Sequence, residues 1–499
     1  MISWIEPREP LDSWVEARDK PLPAAGVVTL GASASWLRVD DRRQALIDGD
    51  TGGWIVAPDS ARAQFDAAIG GYGDPCADQL VAALWRRGLA RVGGAGVFDG
   101  IDFGAAVEAT RQRYTLVLLL NAGCNLACTY CYLGHRLPSK DAAMAHATAL
   151  AAIDTALTQP WPEVMFDFGE VAVSWQAFDE LATVATARAT AVGKRARIAV
   201  QTNATTVDGR VADRLAALDA VVGISLDGTK GMHDAARTFR AGAGSYDKVM
   251  HALDLLRERG VAVHLIATIN RHNVASPVAV VNELTSHEPT SFLLKPVLAE
   301  GEAGQAWDAE GVSPSEYAIF VREALRHAAV GGTHLLDQSA TKFLNRFLGD
   351  RNGWRDSCTS RYCGSGRSLH VIDPKGQVHA CPRFVDETPE PVMLEFAGLG
   401  IRRAPVLDNL LLDELRQPPR ECTGCAWLSS CGGGCTLIGQ RDGQLVVPRP
   451  DPHCSAYDVT HKELLRGFIP AFLDGGHREA TAFNGARVVH VELQDGAQL

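Results

Sequence analysis

The chain has no uninterrupted apolar run of about 18 residues, so no segment of it reads as a membrane-spanning helix. Its opening, Met1-Ile-Ser-Trp-Ile-Glu-Pro, lacks the basic stretch and apolar core of an export signal. Lysine and arginine never gather into a run, and the net charge is -11. Neither nucleic acid nor a membrane is therefore an expected partner. These absences lead to the expectation of a soluble, cytoplasmic protein. That compartment keeps thiols reduced, so the 12 cysteines point away from disulfides and toward metal or redox centres. With 46% apolar residues in 499, the chain can bury more than one core.

The cysteines are unevenly placed. Three lie in Cys124-Asn-Leu-Ala-Cys128-Thr-Tyr130-Cys131, just after the apolar run 115–120; eight fall between Cys358 and Cys454. Cys76 stands alone beside an expected helix start and reads as a small apolar filler. Three thiolates spaced by three and two residues at the end of a buried strand can hold three corners of a cube-shaped 4Fe-4S cluster. The fourth iron is then open to another ligand. A zinc site would show a fourth Cys or His at ligand spacing, and His135, four residues after Cys131 in a Gly-flanked loop, fits no usual pairing. The remaining eight match the need of two fully ligated cubes, which makes three clusters in all.

Along the chain, residues 1–108 show strand patterns at 27–30, 36–39 and 44–48, a Gly-rich break at 50–53, and helical patterns at 60–69 and 77–88. From 109 to 332, apolar runs at 115–120, 164–168, 198–202, 221–226, 263–268 and 292–296 alternate with helical patterns such as 143–157, 175–191, 246–259 and 314–329. This repetition predicts a parallel α/β sheet, a partial (β/α)6 TIM-like barrel, with active groups at the C-terminal strand ends. Residues 333–460 carry the second cysteine group. The last stretch, 461–499, shows a helix pattern at 460–473 and little else.

Cys124-x3-Cys128-x2-Cys131 with an aromatic residue, Tyr130, before the last cysteine resembles the signature of the radical S-adenosylmethionine (SAM) superfamily. The resemblance implies that SAM chelates the open iron through its amino and carboxylate groups. One electron then cleaves the sulfonium, and the resulting 5'-deoxyadenosyl radical takes a hydrogen from substrate. Phe166-Asp-Phe-Gly169-Glu170 stands where the superfamily carries Gly-Gly-Glu-Pro, with Phe168 in place of the first Gly and Val171 in place of the Pro. There a glycine admits close backbone approach, and the carboxylate can accept from the SAM ammonium. Gln201-Thr202-Asn203 resembles Gln-Thr-Asn-Gly, with Ala204 as the last residue; Ser225 and Asp227 follow the fourth strand. His233-Asp234-x-x-Arg237 and Gly242-Ala-Gly244-Ser245 match a stretch common in the peptide-modifying branch, and Arg237 is suited to pair with the SAM carboxylate. Lys295, at the sixth strand's end, faces substrate or caps the barrel. Taken singly, each of these turns also fits an ordinary βα connection with a helix cap.

Cys358, Cys363, Gly376-x4-Cys381, Cys422-x2-Cys425-x5-Cys431-x3-Cys435 and Cys454 resemble the SPASM extension of radical SAM peptide and protein maturases. By that resemblance Cys358, Cys363, Cys381 and Cys435 hold one auxiliary cluster, and Cys422, Cys425, Cys431 and Cys454 the other. The competing reading is a pair of four-cysteine zinc sites. Bond formation from a carbon radical releases one electron, and closed cubes offer it a protected route. Residues 1–108 are similar in outline to winged-helix-like leader-peptide recognition units, which bind a peptide as an added strand. The expected activity is oxidative C-C or thioether cross-linking of a peptide or protein substrate, with an external flavodoxin- or ferredoxin-type electron donor. Alternatives are a formylglycine-forming sulfatase maturase, although Pro382 stands where that group has Asp, a peptide epimerase, and a non-enzymatic cluster scaffold or electron carrier. No catalytic base is assigned.

Overall fold

The computed structural model describes the chain except residues 7–10, 19, 71, 74–78, 122, 133, 135–142, 170–173, 334–336, 351–357, 359–361, 383–384, 386–394, 398–399, 403–417, 436–449, 475–486 and 492–499. Cys76, His135, Glu170 and Val171 lie outside the described residues. The chain divides into two units: Met1–Arg111 with Ala340–Cys363 and Leu415–Leu499, and Gln112–Ser339 with Gly364–Glu414.

In the first unit the strands are β1 (Ile2–Glu6), β2 (Gly26–Leu30), β3 (Ala34–Arg38), β4 (Arg43–Asp48), β5 (Trp54–Pro58), β6 (Tyr72–Gly73), β7 (Ala90–Val92) and β8 (Ala95–Gly96). β1, β5, β4 and β3 pair antiparallel, and Arg487–Val491 adds to the free side of β1. The sequence reading found no strand in either β5 or 487–491. β5 is apolar throughout and buried on both faces, so it lacks the alternation that marks a half-exposed strand; the terminal strand exists only through its pairing with β1. Helices Arg62–Ala68 and Gln79–Arg86 fall within the expected 60–69 and 77–88. The β7–β8 hairpin follows the second of them and pairs with β2. Trp54 anchors this region to the later part of the same unit: its indole donates to the Phe347 carbonyl at 3.0 Å and stacks on the Phe347 ring at 4.9 Å.

The second unit is built on β9 (Arg113–Leu118), β10 (Glu163–Gly169), β11 (Arg195–Thr202), β12 (Val221–Ser225), β13 (Ala262–Ile269) and β14 (Ser291–Pro296). All six are parallel, each paired to the next in sequence, as the alternating pattern predicted. Two further strands extend the sheet: β15 (Leu369–Ile372) joins β9 in parallel, and β16 (Val378–His379) folds back on it through the turn at Gly376. Val164, Phe166 and Phe168 of β10 are wholly buried, and Phe168 meets Phe178 of helix Trp175–Ala191 edge-on at 5.2 Å. Because side chains alternate across a strand, that contact assigns one face of β10 to the helices and turns Met165, Asp167 and Gly169 to the other.

Candidate active site

The loop after β9 presents Cys124, Cys128 and Cys131, and the chain segment before Ser245 backs it. Leu126 bridges Phe239, the Ala127 amide donates to the Thr238 carbonyl at 2.8 Å, and the Thr129 amide donates to the Ala236 carbonyl at 3.0 Å. Arg240 reaches the Cys124 carbonyl at 3.2 Å. Donors also approach the sulfurs: the Leu126 amide at 3.5 Å and Asn203 Nδ2 at 3.6 Å from Cys124 Sγ, and Arg237 Nη1 at 4.0 Å from Cys128 Sγ. Burial pushes the Cys128 thiol up to about 12; Arg237 opposes this, and neighbouring Cys131, Asp227 and Cys124 add to it. Sulfurs approached by N–H donors, one of them buried, are suited to iron, which supplies the positive charge needed to displace the proton.

Asp227 lies at the centre of the bracing. It is fully buried and accepts at Oδ2 from the Tyr130 hydroxyl and from Arg237 Nε at 2.9 Å, and at Oδ1 from the Thr268 amide at 2.9 Å. The Arg237 guanidinium also lies 5.3 Å from the Tyr130 ring centroid. Both carboxylate oxygens thus have protein partners, and the aromatic residue of the cysteine motif is tied to the end of β12 through this ion pair. Asn203 behaves similarly, donating to Asn125 Oδ1 at 2.9 Å while accepting from the Thr205 amide at 3.1 Å. Thr202 Oγ1 accepts the Ala204 amide at 3.0 Å. Ser225 alternates with buried Ile224, and its hydroxyl has no hydrogen-bond partner among the described residues.

The departures at the strand ends have local causes. Phe168 replaces a glycine without filling the cofactor face because it points into the helix layer. Gly169 is required by a neighbour: a Cβ there would lie 2.6 Å from the backbone N and O of Gln201. Ala204 adopts φ 60°, a left-handed conformation natural for the glycine it replaces and costing an alanine about 1 kcal/mol. The His233-to-Ser245 stretch is internal bracing. The Asp227 amide donates to His233 Nδ1 at 3.4 Å, His233 Nε2 meets Ser245 Oγ at 2.9 Å, and Ser245 donates to the Arg237 carbonyl at 2.7 Å. Burial lowers His233 to about 4, so the ring stays neutral and this one tautomer serves all three bonds.

Cys422, Cys425, Cys431 and Cys454 all belong to the first unit and lie close together: Cys454 and Cys425 raise Cys422, and these three raise Cys431. Burial dominates at Cys431, pushed up to about 12, and at Cys422, pushed up to about 11. Three successive glycines, Gly432 to Gly434, take positive φ and turn the chain between Cys431 and Cys435. Asp451 holds this turn: it accepts from the Cys435 amide at 3.1 Å, the His453 amide at 2.8 Å and the Tyr457 hydroxyl at 2.8 Å. The sequence reading missed Asp451 and the loop after Asp48. A Cβ on Gly49 would lie 1.8 Å from the Cys425 carbonyl oxygen, and the Ser429 amide donates to the Gly49 carbonyl at 2.8 Å. The Gly-rich break at 50–53, read as punctuation, therefore belongs to a loop that packs on a cysteine turn.

Cys358, Cys363 and Cys435 lie in the first unit and Cys381 in the second. Lys295 is exposed on β14, in register with Thr268. Among the described residues, no three Cys, His, Asp or Glu side chains converge as they would around a single metal ion. No helix among them is long and apolar enough to cross a membrane.

Residues 118–284 match the Radical SAM superfamily. A serine-type anaerobic sulfatase-maturating enzyme of Bacteroides thetaiotaomicron is 25% identical over 362 residues, 65% of this chain and 83% of that one. The mycofactocin maturase MftC of Mycobacterium ulcerans is 29% identical over 354 residues, 67% of this chain and 86% of that one. Among solved structures, native anSMEcpe with bound AdoMet superposes with TM-score 0.60 at 19% identity, covering 72% of this chain and 99% of that chain, which supports the fold. The signature cysteines, the parallel sheet that carries them and these matches agree on an enzyme that carries a Radical SAM domain at residues 118–284.

Proposed function

We propose that this enzyme is a maturase that oxidatively cross-links side chains of a ribosomally made peptide or a partner protein, forming a C-C or thioether bond. Cys124, Cys128 and Cys131 would hold the open cluster. Cys358, Cys363, Cys381 and Cys435, and Cys422, Cys425, Cys431 and Cys454, would hold two closed ones. When bound with SAM, the open cluster supplies the electron that yields a 5'-deoxyadenosyl radical. Gly169 and Glu170 would receive the methionyl end of SAM and Ser225 a hydroxyl, while Tyr130, Thr202, Asn203, Asp227 and Arg237 keep the cysteine loop and strand ends in position.

The observation that carries the reading is the presence of two separate groups of cysteines, one of three around buried Cys128 and one of four around buried Cys422 and Cys431, each braced by its own network. Relatives named as maturases of sulfatases and of mycofactocin favour a peptide or protein substrate. Residues 1–108 would recognise a leader, and a flavodoxin or ferredoxin in a reducing cytoplasm would feed electrons. Reduced, iron-replete enzyme incubated with SAM and the peptide encoded beside it should release deoxyadenosine and a peptide lighter by a pair of hydrogens; release with no mass change in the peptide counts against the reading. The sulfatase-maturing relative supports a second reading, formylglycine formation, which would appear as a Cys or Ser converted to an aldehyde in a sulfatase-derived peptide.

A further inference from the structure

Asp167 is a part-buried acid whose carboxyl has no partner among the described residues. Its place on β10 puts Phe168 among the helices and Asp167 on the opposite face, beside its register partners Val117 of β9 and Ala199 of β11, and on the same side as Gly169 at the strand end. Oδ1 is sealed from solvent and accepts no hydrogen bond, and no ion pair reaches the carboxyl among the described residues. The residue as a whole keeps partial accessibility, so a group entering on that face can touch it. Side chains sharing the face on the flanking strands are Thr115 and Val117 from β9 and Arg197, Ala199 and Gln201 from β11. Arg197 is the one charged group among these, and its own Nε is buried without a partner.

A buried, unsatisfied carboxyl costs stability, and an apolar side chain would suit the sheet better. An unsatisfied carboxyl on this face is suited to a ligand. Resting on the maturase reading above, we propose that Asp167 binds the donor group of the substrate inside the barrel, an N–H, O–H, S–H or aromatic C–H, and takes its proton as the new bond forms. The balance is complete: the substrate C–H loses a hydrogen atom to the deoxyadenosyl radical, and the donor X–H loses its proton to the Asp167 carboxylate. The C–X bond forms, and one electron leaves to an oxidised centre of the iron-sulfur class. Pro382, directly after Cys381, offers no carboxylate for this task. Burial raises the Asp167 carboxyl to about 6, which keeps it ionised at neutral pH yet basic enough to accept a proton.

The test compares full-length wild type with Asp167→Asn and Asp167→Glu, each iron-replete. Asp167→Asn should lower cross-linked product by at least about 100-fold while deoxyadenosine release and iron content stay near wild type. Asp167→Glu should restore part of the product. The wild-type rate should rise with pH to a plateau above about 6, and an infrared band of a protonated carboxyl titrating in that range should vanish in Asp167→Asn. Wild-type product levels and pH profile in Asp167→Asn would overturn the assignment, as would loss of iron in both variants, which marks a structural role. Unmodified peptide mass from the wild type itself would sink the maturase reading and this assignment together; a normal wild-type product with an indifferent Asp167→Asn sinks the assignment alone.

Discussion

The barrel loop and the four-cysteine turn of the first unit solve the same problem, holding thiols away from water, by opposite means. Around Cys124 and Cys128 the supports are polar and charged: the Asp227–Arg237 pair, Tyr130 and Asn203, several with donors aimed at sulfur. Around Cys422, Cys425 and Cys431 they are mostly backbone turns, glycines and rings, with Trp427 stacked on His461 at 4.8 Å, Phe347 5.9 Å away and a buried carboxylate, Asp451, holding the turn to Cys435. The difference suits different work. Under the proposed assignment, the open site receives a charged cofactor past polar groups, and the closed site shields its cluster from water.

Exchanging single residues breaks this contrast most sharply at the cysteines themselves. Cys128→Ala should abolish deoxyadenosine release and remove about four irons, whereas Cys431→Ala should remove a similar number yet leave SAM cleavage measurable. Iron analysis beside an uncoupled cleavage assay reads both. Next in size, Arg237→Leu leaves the fully buried Asp227 without its cation and should cost about 3–5 kcal/mol in a denaturant titration, with Cys128 losing its nearest positive charge. At the other site, Gly49→Ala drives a methyl into the Cys425 carbonyl; the strain, about 1–3 kcal/mol, should appear as faster iron loss from the first unit's cluster while the barrel's electron paramagnetic resonance signal is unchanged. The smallest effect belongs to Ala204→Gly, which relieves a left-handed alanine and should stabilise by about 1 kcal/mol, read as a small rise in Tm.

How much was legible follows the range of the forces involved. All six barrel strands lie where apolar runs were found, and helix Trp175–Ala191 matches its expected bounds, because burial between helix layers writes a local, periodic record. β15 and the strand Arg487–Val491 were not found, since each is completed by a partner far away in the chain, and the two-residue β16 exists only as the return of β15. The motif residues are legible as a pattern, but for Asp227 and Arg237 spacing says only that they can reach a cofactor, and the structure shows them satisfied by each other.

The sequence by itself determined the thiol spacings and the alternation of strand and helix, because both are set by covalent distance and by residues within a few turns of one another. Only the tertiary structure decided which polar groups are spoken for and which are left over. A hydrogen-bond partner is a matter of position in space, so the pairing of Asp227 and the solitude of Asp167 emerge only once β9 through β13 lie side by side.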